Sequence, residues 1–182
     1  MKAFRVANEA SAAKNLGKTM LMTISFWLAF LVLAPWLITQ VESRLGIPFF
    51  RFSHQTLAAG ALFGVMASIN LSSGVLMAVI GRGTPFPADT ARELVIRGPY
   101  RFVRNPMAVG GLGLGLAVAI YLGSYATIAY VIAGGLLWNL IARPMEEADL
   151  SSRFGDDYVA YKSAVRCWIP RLRPYRTDSS RP

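Results

Sequence analysis

Residues 97–110 read Arg-Gly-Pro-Tyr-Arg-Phe-Val-Arg-Asn-Pro-Met-Ala-Val-Gly, and a paired carboxylate, Glu146-Glu147, stands beyond a long apolar stretch. A basic, polar segment ends at Pro106 and an apolar hairpin begins. The hairpin returns to the two glutamates. In a membrane protein this topology brings both polar clusters to one bilayer face. Carboxylates there can bind a cation or a substrate ammonium. Arg143 can hold a carboxylate through two parallel N–H bonds. The spacing of Arg143 and Glu147, four residues, also puts them on one helix face, where they can pair with each other.

Other chemistries have little to stand on. His54 is the single histidine and falls on the far side of the hairpin. That disfavours a histidine-based zinc site, a haem site or a Ser-His-Asp triad, and no metal site is expected. Cys167 is the only cysteine, so no intrachain disulfide forms, and the thiol reads as lone and reduced. No GxxxxGK[ST] loop is present. Gly111-Leu-Gly-Leu-Gly115 lies inside an apolar helix and is no dinucleotide fingerprint.

The elements that must position these residues are membrane helices. Of 182 residues, 54% are hydrophobic, and three stretches (19–41, 55–81 and 105–142) carry no charge. A transmembrane helix needs roughly 20 apolar residues. The first two stretches each hold one span. The third holds two, with the turn at Gly123-Ser124. The expected fold is therefore all-α and integral to the membrane, with four helices at about 19–41, 55–80, 106–122 and 125–142. Arginines and lysines crowd both termini and the loop after helix two, while Arg44 and Arg51 stand alone opposite. The positive-inside rule then puts both termini in the cytoplasm, in a prokaryote at the inner membrane. The net charge of +9 is explained by anionic headgroups, so no nucleic acid is expected as a partner. Helix one is too long for a signal peptide and reads as a retained anchor.

Residues 1–18 read as an interfacial amphipathic helix. Gly60 and Gly64 in helix two have the small-xxx-small spacing of close helix packing. Asn70, a buried amide in a span, should bond a neighbouring helix or line a cavity. The glycines of helix three (110, 111, 113 and 115) suit either close packing or room for a ligand. Tyr100, Phe102 and Val103 should dip into the interface while Arg101 and Arg104 stay at the phosphates. Pro144 should kink helix four. Short helices are expected from Met145 to about Phe154 and around 156–165, and a poorly ordered tail over 170–182.

The run Gly98-Pro-Tyr-Arg-Phe-Val-Arg-Asn-Pro-Met107, the hairpin, Glu146-Glu-Ala-Asp-Leu150, Phe154-Gly-Asp-Asp-Tyr158 and Tyr161 to Ile169-Pro-Arg171 resemble the isoprenylcysteine carboxyl methyltransferase family. Phospholipid methyltransferases look like more distant relatives. The resemblance spans roughly 81–171, and Gly83-Thr-Pro85 is similar to prokaryotic members. It implies an S-adenosylmethionine-dependent enzyme with the cofactor under the loop and C-terminal helices. Leu94, Val95, Tyr100, Asn105, Pro106, Met107, Ala108, Glu146 and Glu147 would surround that cofactor. Arg143 and Glu147 would be the catalytic pair, Arg143 orienting the substrate. The family pattern is commonly Arg-His-Pro-x-Tyr; this chain has Asn105 for the histidine and Ala108 for the tyrosine.

The division that follows is 1–80 for two N-terminal membrane helices, 81–175 for a methyltransferase core and 176–182 for a tail. The acceptor is a lipid or lipophilic small molecule reached from the bilayer. A carboxylate is slightly favoured, because it needs no general base. A phosphatidylethanolamine amine is the alternative, and a non-catalytic membrane scaffold the further one.

Overall fold

A computed structural model describes residues 5–85 and 89–176. The expectations for residues 1–4 and 177–182 lie outside the described residues. Four helices make the fold: α1 (Ala12–Arg44), α2 (Gln55–Val79), α3 (Pro106–Leu122) and α4 (Tyr125–Ala164). Among the described residues there are no strands, only isolated bridges. α1, α2 and α4 are each long and apolar enough to cross a membrane. α3 has 17 residues, the lower end of the crossing range of roughly 17–25, and is apolar all round.

The helices differ from expectation at their charged ends. α1 begins at Ala12, capped by the Ser11 hydroxyl, so residues 12–18 extend the span and form no separate interfacial helix. Residues 5–7 are extended instead and bond across to Thr90. α4 does not end near Ala142. It passes Pro144 and runs to Ala164, with its break at Gly155, whose φ is 50°. Proline acts here through a π turn. The turn Trp138–Ala142 precedes Pro144, and the Arg143 N–H bonds the Trp138 carbonyl five residues back. α1 repeats the device: Leu28–Leu33 precedes Pro35, with Ala34 N–H on the Ala29 carbonyl. A proline cannot donate to the carbonyl four residues back and its ring crowds that carbonyl; one wider turn relieves both.

At the turn end, Glu42 is fully buried and accepts bonds from Ser124 Oγ (2.5 Å) and Ala126 N (2.9 Å), fixing the start of α4 on the end of α1. Gln55 Nε2 donates to the Ile120 carbonyl at 2.6 Å, tying α2 to α3. Gly123 turns the chain with φ 71°, and the Phe50 N–H bonds its carbonyl at 2.8 Å.

At the other end, residues 89–105 pack under the second half of α4. Tyr158, Tyr161 and Val165 form a buried cluster with Leu94, Ile96, Leu150 and Phe154 against it. The C-terminal segment runs along 101–104: Arg104 N bonds the Arg166 carbonyl, Arg171 N that of Phe102, and Tyr175 N that of Arg101. This overturns two expectations. Residues 170–176 have a bonded path. Tyr100 and Val103 are buried in protein, and the Arg104 side chain points inward, because this segment takes the place assigned to lipid. Gly60 and Gly64 also depart from expectation: nothing lies within 4 Å of a Cβ built there, so they pack no helix of this chain. α2 and α3 meet instead where a Cβ on Gly110 would lie 2.9 Å from Asn70 Cβ and 3.1 Å from the Met66 carbonyl.

Candidate functional site

The two adjacent glutamates face different surroundings. Glu147 Oε1 lies 2.9 Å from Arg104 Nη1 and 3.2 Å from Arg143 Nε, and its Oε2 lies 2.7 Å from Lys162 Nζ. Burial alone would raise its pKa. The Lys162 hydrogen bond and the charges of Arg104, Lys162 and Arg143 outweigh that and hold it below the usual carboxylate value. The i,i+4 pair with Arg143 is thus present, and two further cations join it. Lys162 was not legible as a partner, because it comes from beyond the Gly155 break.

Glu146 has no cation within ion-pairing distance among the described residues. Its one hydrogen bond comes from Asn105 Nδ2, at 3.1 Å. It lies beyond the apolar part of α4, yet is enclosed. Burial pushes its carboxyl up to about 7, against the opposing pull of the Asn105 bond; the Glu147 and Asp149 charges raise it further, and the Arg104 charge lowers it a little. Asn105 is also the N-cap of α3, since its Oδ1 accepts the Ala108 N–H at 2.9 Å. An amide can cap a helix and donate to a carboxylate at once. Asn105 therefore fixes Glu146 to the first turn of α3.

Arg143 is held from a second side. Its Nη1 donates to Asn139 Oδ1 at 2.7 Å, and Trp168 Nε1 donates to the same oxygen at 2.8 Å. Sequence reasoning missed Asn139 as a partner, although its spacing of four residues from Arg143 was the available signal. Tyr100 is buried, and its carbonyl accepts from the Tyr161 hydroxyl at 2.5 Å. Cys167 is buried beside the site, and burial pushes its thiol pKa up.

These groups open onto one cavity of about 650 Å³. Leu94, Val95, Tyr100, Asn105, Met107, Ala108, Arg143, Glu146 and Glu147 all line it. Pro106 does not; it is buried at the start of α3. From the charged end the cavity continues between α1 and α4, where Phe26, Trp27, Phe30, Tyr130 and Leu137 line it. Both π turns contribute to these walls, through Phe30 and Leu31 on one side and Trp138 and Ala142 on the other. No cluster of three metal-ligating side chains occurs among the described residues.

Membrane-length helices that gather carboxylates, guanidinium groups and an amide around a cavity at one end define an integral-membrane enzyme site. Residues 54–157 match the family model of the phospholipid methyltransferases, and the chain belongs to that family. It is a membrane methyltransferase. The family that matches is the one the sequence set further away; the isoprenylcysteine enzymes share its superfamily. No curated protein matches the chain at a significant level.

Proposed function

We propose that the chain is an S-adenosylmethionine-dependent methyltransferase whose acceptor is the amine of a lipid headgroup. The observation that carries this is the asymmetry of the glutamate pair: Glu147 is neutralised by three cations, and Glu146 meets the cavity with none. A buried carboxylate with one hydrogen bond and no ion-pair partner, beside a cavity, favours a cationic ligand. S-adenosylmethionine carries a sulfonium and an ammonium, a lipid amine carries an ammonium, and the cavity volume suits a cofactor with an acceptor headgroup. Leu94, Val95, Tyr100, Asn105, Met107 and Ala108 would hold the cofactor, with Pro106 fixing the turn that presents three of them. When bound, the cofactor supplies a methyl group that is transferred by in-line displacement.

The chain's own part is to align and deprotonate. An ammonium cannot act as a nucleophile until it loses a proton. Glu146, with its carboxyl at about 7, is ionised often enough at neutral pH to take that proton and to hold it when protonated. Asn105 keeps its carboxylate in place. Glu147 and Arg143 are committed to each other, so on this reading Glu147 is a positioning residue. A carboxylate acceptor oriented by Arg143 is the second reading, since Arg143 also lines the cavity. The test is purified protein in phosphatidylethanolamine nanodiscs with labelled S-adenosylmethionine. Label in mono- and dimethylated headgroups is expected. Label only in base-labile methyl esters of an added isoprenylated carboxylate would move the assignment to the second reading.

A further inference from the structure

Thr23 of α1 and Asn70 of α2 stand at the membrane side of the same cavity, and the account above uses neither. Both are more than nine-tenths buried, at 5% and 6% exposure, and both line the cavity. The register of the two antiparallel helices brings them opposite each other. Thr19 Cγ2 lies 3.3 Å from a Cβ built on Gly74, and the rings of Trp27 and Phe63 pair further along, at 6.0 Å. One turn from Thr19 towards Trp27 on α1, and one turn back from Gly74 on α2, is Thr23 against Asn70.

Their hydrogen-bonding capacity is incompletely used. Asn70 Nδ2 donates to the Met107 carbonyl at 3.0 Å. With the nitrogen committed to α3, the oxygen is the atom left for the cavity. Neither it nor the Thr23 hydroxyl has a hydrogen-bond partner among the described residues, and neither is sealed from solvent as the Asn15 amide and Thr19 hydroxyl are. Gly111 lines the cavity beside Asn70: a Cβ there would lie 3.9 Å from Asn70 Nδ2, an ordinary contact. The same first turn of α3 that Asn70 bonds at Met107 is bonded to Glu146 through Asn105. An open amide oxygen and an open hydroxyl thus line the same cavity as the carboxylate of Glu146, Asn70 being tied to the turn of α3 that Asn105 joins to it.

Resting on the lipid-amine reading, we propose that the Asn70 oxygen and the Thr23 hydroxyl accept N–H bonds from the acceptor nitrogen, orienting its lone pair while Glu146 takes the proton. Two acceptors beside a carboxylate suit an amine that still has N–H groups. Each methyl added removes one donor, and a trimethylated headgroup has none. The site therefore favours substrate over the fully methylated product. Thr23 lies on α1, outside the stretch that matches the family, so this selectivity is a property of the chain's own first helix.

The test compares binding of short-chain phosphatidylethanolamine and phosphatidylcholine to the purified, detergent-solubilised protein, beside binding of S-adenosylhomocysteine. Wild type is expected to prefer the ethanolamine lipid by about tenfold, the worth of one to two neutral hydrogen bonds. Thr23→Val, which keeps the shape, is expected to weaken ethanolamine-lipid binding about three- to fivefold, with phosphatidylcholine and S-adenosylhomocysteine unchanged. Thr23→Ser is expected to restore it. Equal preference in wild type and Thr23→Val would overturn the inference while leaving the amine reading intact. Weakened S-adenosylhomocysteine binding in Thr23→Val would overturn it in favour of a cofactor hydroxyl at this position. Wild type that binds neither lipid and methylates no amine would end both the reading and the inference.

Discussion

The two ends of this bundle use the same residue types to opposite effect. At the turn end, Glu42 is buried against the start of α4 and receives two hydrogen bonds, from Ser124 and Ala126. Gln55 and the Gly123 turn are bonded as closely. At the other end, Glu146 is enclosed with a single bond from Asn105, and an open cavity lies beside it. A satisfied buried carboxylate fixes structure. One left short of a counter-charge holds an electrostatic demand that a ligand can meet. The contrast recurs within the charged end itself, where Glu147 behaves like Glu42 and Glu146 does not.

That comparison can be broken first at the glutamates. Glu146→Gln removes the unmatched charge but keeps the shape and the contact with Asn105. The rate of methyl transfer is expected to fall by roughly 10²–10⁴-fold, with thermal stability in detergent unchanged, because general-base catalysis is lost and no ion pair is. Glu147→Ala is the converse. It leaves Arg104, Arg143 and Lys162 facing one another, and should lower unfolding free energy by about 3 kcal/mol, most of it from the enclosed Arg104 pair. Thermal unfolding that is unchanged in Glu147→Ala would show that the cluster is not structural.

The turn end supplies the control. Gly123→Ala places a Cβ 2.2 Å from the Phe50 carbonyl at a positive φ. It should cost about 2 kcal/mol while the rate per folded molecule stays at the wild-type value. Loss of catalysis without loss of stability would mean that the two ends are not separable. The smallest effect is expected at Gly60, where nothing lies within 4 Å. Gly60→Ala should change stability by no more than about 1 kcal/mol, in the stabilising direction given by helix propensity. A marked loss would reveal a contact outside this chain.

Much of the scaffold was legible because the bilayer imposes long uncharged runs, and those runs fixed the number of helices and the Gly123 turn. The Arg143–Glu147 pair and the bond from Asn70 to α3 followed from spacing and from the need to satisfy a buried amide. What stayed hidden depends on chain paths that no periodicity records. Lys162 reaches Glu147 only because Gly155 reverses the local backbone. Asn139 stands four residues before Arg143, a legible spacing, but its bond from Trp168 depends on the return of the C-terminal segment. Arg104 was assigned to lipid phosphates because nothing periodic shows that residues 165–176, of which 170–176 read as poorly ordered, run back along 101–104. Spacing marked Glu147 as the partner of Arg143; that Arg104 and Lys162 join it, and that the Glu146 carboxyl is buried with Asn105 instead, was not visible.

The pH dependence of methyl transfer to phosphatidylethanolamine between about pH 6 and 8 tests that separation most directly. Burial holds the folded-state carboxyl of Glu146 at about 7, so it is mainly protonated below that pH and unable to take a proton. Above it the carboxylate is free to act. With acceptor well below saturation, kcat/KM, which reports the ligand-free protein, should rise up to tenfold per unit below about 7 and level off above it. Glu147 remains ionised throughout this range and contributes no step. The residual rate of Glu146→Gln should lack that step. A wild-type rate that is flat across the range, or a Glu146→Gln variant that keeps the same rise, would contradict the assignment of Glu146 as the group that receives the acceptor's proton.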